Sequence, residues 1–229
     1  MFRVAVTGIG LLSPLGLDVG SFWDGLCAGR SGVDFITEFS TEKLRTDIAA
    51  NVRGFDPKSV LETREIDYTG RVVQLGLAAS LQAVREARLE DVDRTRVGVL
   101  VSSGQGSVEI FVDQVQRAAA RGPRAVSPYF IPSAMPNALS GLIATKLGLR
   151  GPSFNIASAC ATSTHSLAIG ALLILSGDAD VVIAGGGEAA TCPATIAGFG
   201  NARALAKAYQ GDPTRASRPY DKHRNGFVI

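Results

Sequence analysis

Cys27, Cys160, Cys192, His165 and His223 are the chain's whole supply of thiols and imidazoles. Of these, Cys160 has the context that chemistry would use. It lies in Ser158-Ala159-Cys160-Ala161-Thr162-Ser163, after Gly151-Pro152-Ser153 and the β-like Phe154-Asn155-Ile156. That order predicts a strand running into a tight turn of small residues, with a helix starting at or just after the cysteine. The N-terminal end of a helix carries about half a positive charge and N–H groups without intrahelical partners. A thiol there is ionised more readily, and the thiolate is the nucleophile. The same N–H groups can hold the oxyanion of an acyl carbonyl under attack. Ala159 and Ala161 are small enough to admit a substrate. A buried structural cysteine is the competing interpretation and the commoner fate of the residue type.

The other candidates offer less. His165 is five residues from Cys160, not on the same helical face, and reads as a core histidine. His223 falls in a polar stretch and is expected at the surface. Gly8-Ile9-Gly10 follows an apolar run, but Ser13 stands where a dinucleotide fingerprint needs its third glycine. Gly104-Gln105-Gly106 and Gly185-Gly186-Gly187 read as tight turns at strand ends. No Cys/His spacing suits a metal. Arg121, Arg124 and Arg203 mark either a basic surface or ordinary solvated charge.

The elements that would position Cys160 can be read from apolar patterning. Residues 4–7, 97–101 and 180–184 are short, nearly continuous apolar runs, as expected of strands covered on both faces. Residues 70–88 place Val73, Leu77, Leu81 and Val84 on one helical face. Residues 160–176 are small and apolar nearly all round, which predicts a helix buried on all sides. Residues 209–226 read as a long surface loop, and 227–229 as the start of a fourth strand. Alternating strands and helices indicate an α/β layered fold.

Length and composition set the bounds. The 229 residues allow one large domain or two small ones. With 46% hydrophobic and 19% charged residues the chain is too apolar to be disordered. A net charge of +2 gives no sign of nucleic-acid or membrane-surface binding. No apolar run is long enough for a membrane helix. The opening residues read as strand and turn rather than a signal peptide. A sparse, odd set of cysteines suits a reduced, cytoplasmic protein.

Further motifs occur in order along the chain. They are Val4-Ala5-Val6-Thr7-Gly8-Ile9-Gly10 with Ser13-Pro14-Leu15-Gly16, then Trp23 and Ala28-Gly29-Arg30-Ser31-Gly32. Ser127-Pro128-Tyr129-Phe130-Ile131-Pro132-Ser133 and Gly148-Leu149-Arg150-Gly151-Pro152-Ser153 precede the Cys160 motif. Ala184-Gly185-Gly186-Gly187-Glu188, Gly198-Phe199, Arg203-Ala204-Leu205 and Ala216-Ser217-Arg218-Pro219-Tyr220-Asp221-Lys222 follow it. In these motifs the chain resembles the β-ketoacyl-acyl-carrier-protein synthases, most nearly the elongating type II forms of fatty acid synthesis and their polyketide relatives.

The resemblance implies a thiolase-like fold, an α/β/α/β/α layered duplication of which residues 1–229 form the N-terminal βαβαβαβ half. It implies that Cys160 takes an acyl group from acyl carrier protein as a thioester. Two histidines and a lysine of the family's C-terminal half then drive decarboxylation of malonyl carrier protein and condensation. Those motifs are absent from these residues, and His165 matches a non-catalytic histidine of the nucleophile motif. The sequence thus reads as about half of a catalytic chain, ending within what should be its fourth strand. The expected partners are acyl carrier protein and a second copy paired through the strand at 180–184, or a chain supplying the C-terminal half. No nucleic-acid or membrane partner is implied. No cofactor is implied beyond the phosphopantetheine arm on which acyl carrier protein holds the substrate. Arg124 and Arg203 fall where carrier contacts are common, whereas Glu65-Ile66-Asp67-Tyr68 replaces basic residues often found before the helix at 70–88. Asn225 stands where an acidic residue is common. Cys160 itself argues against a chain-length factor. The alternative function is a non-catalytic acyl- or carrier-binding subunit, or an inactive fragment.

Overall fold

A computed structural model describes residues 3–229. In chain order its elements are α1 (Val19–Cys27), β1 (Asp34–Phe35), β2 (Ile48–Ala49), α2 (Thr63–Ile66), α3 (Arg71–Ala87), β3 (Val97–Ser102), α4 (Val108–Arg121), α5 (Phe130–Ala134), α6 (Ala138–Leu147), α7 (Thr162–Leu175), β4 (Val181–Gly186) and α8 (Pro193–Asn201). They form two compact units. One runs up to Leu11 and from Asp56 to Ala189; the other holds Leu12–Phe55 and Ala190–Ile229.

In the first unit, β3 and β4 pair in parallel, from Val97 opposite Val181 to Ser102 opposite Gly186. β3 is buried along its whole length, as its unbroken apolar run requires. The predicted face of α3 is where the core lies: Val73 and Leu77 join Val99, Val101, Leu139, Ile143 and Ile183, with Leu81 and Val84 packed at the edge. α7 crosses the sheet on a stripe of small residues, Thr162, Ser166 and Gly170, spaced four apart so that they share one face. Its other faces are not covered within this unit. Leu167, Leu172 and Leu175 are about half exposed, which corrects the expectation of a helix buried on all sides.

The expected strand at 4–7 also does not form. Val4 and Val6 are exposed, and the chain instead lies along α3. Ile9 donates its N–H to Glu86 Oε2 at 2.7 Å and Leu11 donates to Gln82 Oε1 at 3.0 Å. Glycine makes this approach possible. A Cβ on Gly8 would fall 2.1 Å from the Ala83 carbonyl oxygen, and one on Gly10 would fall 1.8 Å from that of Ala79. Side-chain acceptors on a helix have taken the place of a neighbouring strand.

The N-terminus of α3 is finished from outside. Gly70 has no side chain to cap it, and Glu109, in the first turn of α4, accepts from the Arg71 N–H at 2.8 Å. Burial pushes the Glu109 carboxyl above its ordinary range. The Arg71 N–H bond opposes that rise and the nearby Glu188 charge adds to it. The second oxygen, Oε2, and Ser107 Oγ are buried without a hydrogen-bond partner among the described residues.

The second unit is built on the short antiparallel pair β1–β2, with Asp34 opposite Ala49 and Phe35 opposite Ile48. One cluster beside it holds Val33, Ile48, Ala206 and Ala216, and another holds Ile36, Ala49, Ile196 and Leu205. Asp18 caps α1 by accepting from Ser21 N–H at 2.8 Å. Residues 209–226 form the expected loop, broken by one 3₁₀ turn at Pro213–Arg215. The fourth strand expected at 227–229 is reduced to an isolated bridge from Phe227 to Leu205. Among the described residues no helix is long and apolar enough to cross a membrane.

Two outcomes follow. Leu77 is fully buried, so Leu77→Ala should cost about 2–5 kcal/mol, read from urea unfolding. Glu109 has a folded pKa raised above its unfolded value, so its stabilising contribution is complete below the unfolded value. That contribution is lost as pH rises through the folded one. Glu109→Gln keeps an acceptor for the Arg71 N–H and carries no charge. It should be more stable than the parent near about pH 7 and lose that advantage near about pH 4, by urea midpoints at both pH values.

Candidate active site

The site forms where β3 and β4 end together. Past β3 the chain continues as Ser103-Gly104-Gln105-Gly106, and past β4 as Gly187-Glu188. The Gly187 N–H donates to the Ser102 carbonyl at 3.0 Å. The Glu188 carboxylate closes the turn after β3. It accepts from Ser103 Oγ at 3.0 Å and from the N–H groups of Gly104 and Gln105, each at 3.2 Å.

A third stretch, 151–156, follows β3 without forming a regular strand. Val99 N–H donates to the Pro152 carbonyl at 2.8 Å. Further on, side chains substitute for the ladder: Ser103 N–H donates to Asn155 Oδ1 at 2.9 Å and Ile156 N–H to Ser102 Oγ at 3.1 Å. Ser102 and Ser103 are fully buried, so these bonds satisfy groups that would otherwise be unpaired in the core. The seam delivers the chain to Ser158.

There the chain turns sharply. Ser158 has φ −141°, and Ala159 has φ +51°, in the left-handed region. For a residue with a Cβ that conformation costs about 1–3 kcal/mol and persists only where its surroundings fix it. Residues Ala159–Ala161 form a 3₁₀ turn that runs directly into α7. Ala161 N–H donates to the Ser158 carbonyl at 3.1 Å. Ser158 N–H donates to Thr162 Oγ1 at 3.0 Å, and Ser158 Oγ lies 2.7 Å from His165 Nδ1. Cys160 is exposed on this turn. No side chain caps the start of α7, because the N-cap is Ala161. An open thiol therefore stands at a helix start whose N–H groups face no capping side chain. That is the arrangement for attack on an acyl carbonyl with stabilisation of the resulting oxyanion. Gly186 lets α7 seat here. A Cβ on it would fall 2.6 Å from Ser163 Oγ and 2.7 Å from the Ser102 carbonyl oxygen.

The other sequence-derived candidates are placed as follows. His165 is exposed and bonded to Ser158, not the core histidine expected. His223 is exposed, as expected. Cys27 is exposed, and Cys192 is buried with its sulfur 3.4 Å from Thr195 Oγ1. Arg124 is exposed in a 3₁₀ turn after α4 in the first unit, and Arg203 is exposed just past α8 in the second. Glu65, in the stretch that departs from the basic pattern, pairs with Lys146 at 2.6 Å. Among the described residues no group of three or more His, Cys, Asp or Glu could hold a metal. The second unit has an open cavity of about 530 Å³ lined by residues such as Ser13, Ser31, Asn51 and Arg53. Arg53 there is engaged with Asp34 at 2.6 Å, and the cavity holds no thiol or imidazole.

Sequence reasoning left Glu188, Asn155, Ser102 and Ser158 without roles. Each acts through a partner far along the chain or across a turn. The signal available for Glu188 was a carboxylate directly after a triple glycine at a strand end, where backbone N–H groups are exposed.

The family model described as the β-ketoacyl synthase N-terminal domain matches residues 1–229. The chain belongs to this family. This β-ketoacyl synthase domain is 41% identical over 229 residues to 3-oxoacyl-[acyl-carrier-protein] synthase 2 of Vibrio cholerae, covering 99% of the chain and 55% of that protein. It is 42% identical, at the same coverage, to the protein of that name in Coxiella burnetii. The chain thus spans about half the length of the curated relatives it matches. Among solved structures it is similar to a β-ketoacyl synthase of Burkholderia phymatum, with TM-score 0.88, 27% identity, and coverage of 100% of this chain and 56% of that one. The β-ketoacyl synthase domain therefore has the expected α/β fold, the N-terminal half of a thiolase-like ketosynthase.

Crowding at the seat of α7 has a measurable consequence. Gly186→Ala should stay folded but lose about 1–3 kcal/mol through overpacking against Ser163 and Ser102. In a unit of this size that lowers the calorimetric midpoint by several degrees, roughly 2–12 °C.

Proposed function

We propose that this domain carries the acylation step of a β-ketoacyl-acyl-carrier-protein synthase, with Cys160 as nucleophile. The observation that carries the proposal is the exposed thiol on a strained turn that opens directly into the uncapped start of α7. The Cys160 thiolate attacks the thioester carbonyl of an acyl group held on the phosphopantetheine of acyl carrier protein. A carbon–sulfur bond to Sγ forms, and the tetrahedral oxyanion is held by N–H groups of the turn. Collapse breaks the bond to the phosphopantetheine sulfur, which leaves as a thiolate and takes up the proton that Cys160 gave up. Condensation with malonyl carrier protein belongs to the two histidines and lysine that the family holds in its C-terminal half. General acid–base groups of that kind contribute about 10²–10⁴-fold in rate.

The partner in this proposal is acyl carrier protein, with Arg124 and Arg203 as candidate contacts. A solved complex described as a type II PKS acyl-carrier protein with its ketosynthase bound to the hexaketide supports it. That structure is similar to this chain at TM-score 0.87 and 27% identity. Pairing with a second copy along β4, and a cytoplasmic location, belong to the same proposal.

The test is transfer of a radiolabelled acyl group from acyl carrier protein, followed on denaturing gels. The parent should take up label and Cys160→Ala should lose at least about 10³-fold of it. Equal labelling of Cys160→Ala, or none of the parent, would overturn the assignment.

A further inference from the structure

We propose that Ser158 and His165 are positioning residues for Cys160, a clasp that holds the left-handed Ala159 turn onto the first turns of α7. The inference rests on Cys160 being the acylated nucleophile. Ser158 is bonded through three of its atoms, and every partner lies beyond Cys160. Its carbonyl accepts from Ala161 N–H, its N–H donates to Thr162 Oγ1, and its hydroxyl meets His165 Nδ1 at 2.7 Å. The chain on one side of the thiol is therefore tied to the chain on the other, with Cys160 held between.

These bonds are not equivalent. Ala161 N–H to Ser158 is the ordinary closure of a 3₁₀ turn. The Thr162 bond resembles a common side-chain-to-backbone cap. The Ser158–His165 contact belongs to neither class. It joins two side chains seven positions apart, and it spans the segment in which Ala159 holds φ +51°. Without it Ala159 is free to relax toward a right-handed conformation, which rotates the Cys160 Cα–Cβ bond away from the helix start. Displacement of a reacting group by about 1 Å can cost about 10²-fold in rate, so partial release of the turn should cost about tenfold.

His165 does not act here as a base for Cys160. Its Nδ1 is engaged by Ser158. The two roles predict different things. A base would be lost only in His165 variants, whereas a clasp is lost from either end.

The molecule supplies its own controls. Cys27 is exposed and Cys192 is buried. Alkylation of the intact protein by iodoacetamide, mapped peptide by peptide, reads Cys160 against Cys27; Cys192 reports loss of folding in the second unit and the urea midpoint reports it in the first. The same preparations give the maximal rate constant and the half-saturating carrier concentration for single-turnover acyl transfer. Ser158→Ala and His165→Ala should each lower that rate constant about tenfold with the half-saturating concentration unchanged. Each should lower the Cys160-to-Cys27 alkylation ratio about fivefold, with Cys192 still protected. The double variant should be no worse than either single, because one bond is shared. Ser158→Thr, which keeps the hydroxyl, should recover most of the loss. The clasp is overturned if Ser158→Ala matches the parent, if only His165→Ala loses activity, or if the loss in Ser158→Ala comes with unfolding of the first unit by urea midpoint. If the parent takes no acyl label, the assignment of Cys160 fails, while the alkylation ratios still decide whether the clasp orients it.

Discussion

Six residue pairs, from Val97–Val181 to Ser102–Gly186, join β3 to β4 in one parallel register. The site depends on that register. It makes the two strands end at the same level, so that Glu188 reaches back to the turn after β3 and Gly186 opens the space in which α7 begins. A slip of one residue would turn every side chain of β4 to the opposite face. Ile183 would leave the core, and Glu188 would lose its geometry on Gly104 and Gln105. The hydrophobic packing of Val99, Val101 and Ile183 against α3 and α6 therefore does more than stabilise the unit: it fixes the height at which Cys160 stands.

Acidic side chains recur in one role across both units. Glu188 holds Gly104 and Gln105, Glu109 holds Arg71, Glu86 holds Ile9, Asp18 holds Ser21, and Glu65 holds Glu62, each by accepting a backbone N–H. Where the chain leaves regular structure its donors have no ladder partner, and a carboxylate is the strongest acceptor available. Most of these carboxylates serve the backbone; Glu188 also holds the Ser103 hydroxyl and Glu65 also pairs with Lys146. The Cys160 thiol stands on a turn that helix start and hydrogen bonds position.

The parts legible in the sequence were those with local causes. α3 could be read from Val73, Leu77, Leu81 and Val84 and β3 from an unbroken apolar run, because such patterns report burial directly; the run at 180–184 does form β4, but only Ile183 of it is buried rather than the whole strand as expected. Cys160 could be read as a helix-start thiol from the small residues around it, and the motif resemblance pointed the same way. The misreadings came from causes that act at a distance. Val4–Thr7 has the composition of a covered strand, but nothing in a run of valines names its neighbour; two glycines and the acceptors on α3 decide where it lies. The leucines of α7 are apolar, yet the residues it buries are the small ones of the Thr162–Ser166–Gly170 stripe. His165 reads as a core residue until Ser158 is seen within reach. The Ser102–Ile156 and Ser103–Asn155 bonds, which carry the chain to the site, join residues more than fifty positions apart.

The same separations bear on the order in which the molecule assembles. Glu188 meets its turn across 83 to 85 residues, and β3 meets β4 over a comparable span. Closing a loop of that size costs more entropy than local contacts do, and pairings of high contact order form late. Helices such as α3 and α7 have local hydrogen bonds and can begin to form before the sheet exists. The geometry of the thiol cannot, because the surface on which its turn rests is complete only once β4 has docked. During synthesis a chain that has passed Cys160 but has not yet released Glu188 therefore carries the cysteine without the site. The full geometry of the thiol becomes a property of the folded domain alone, and a half-made chain is kept from presenting it.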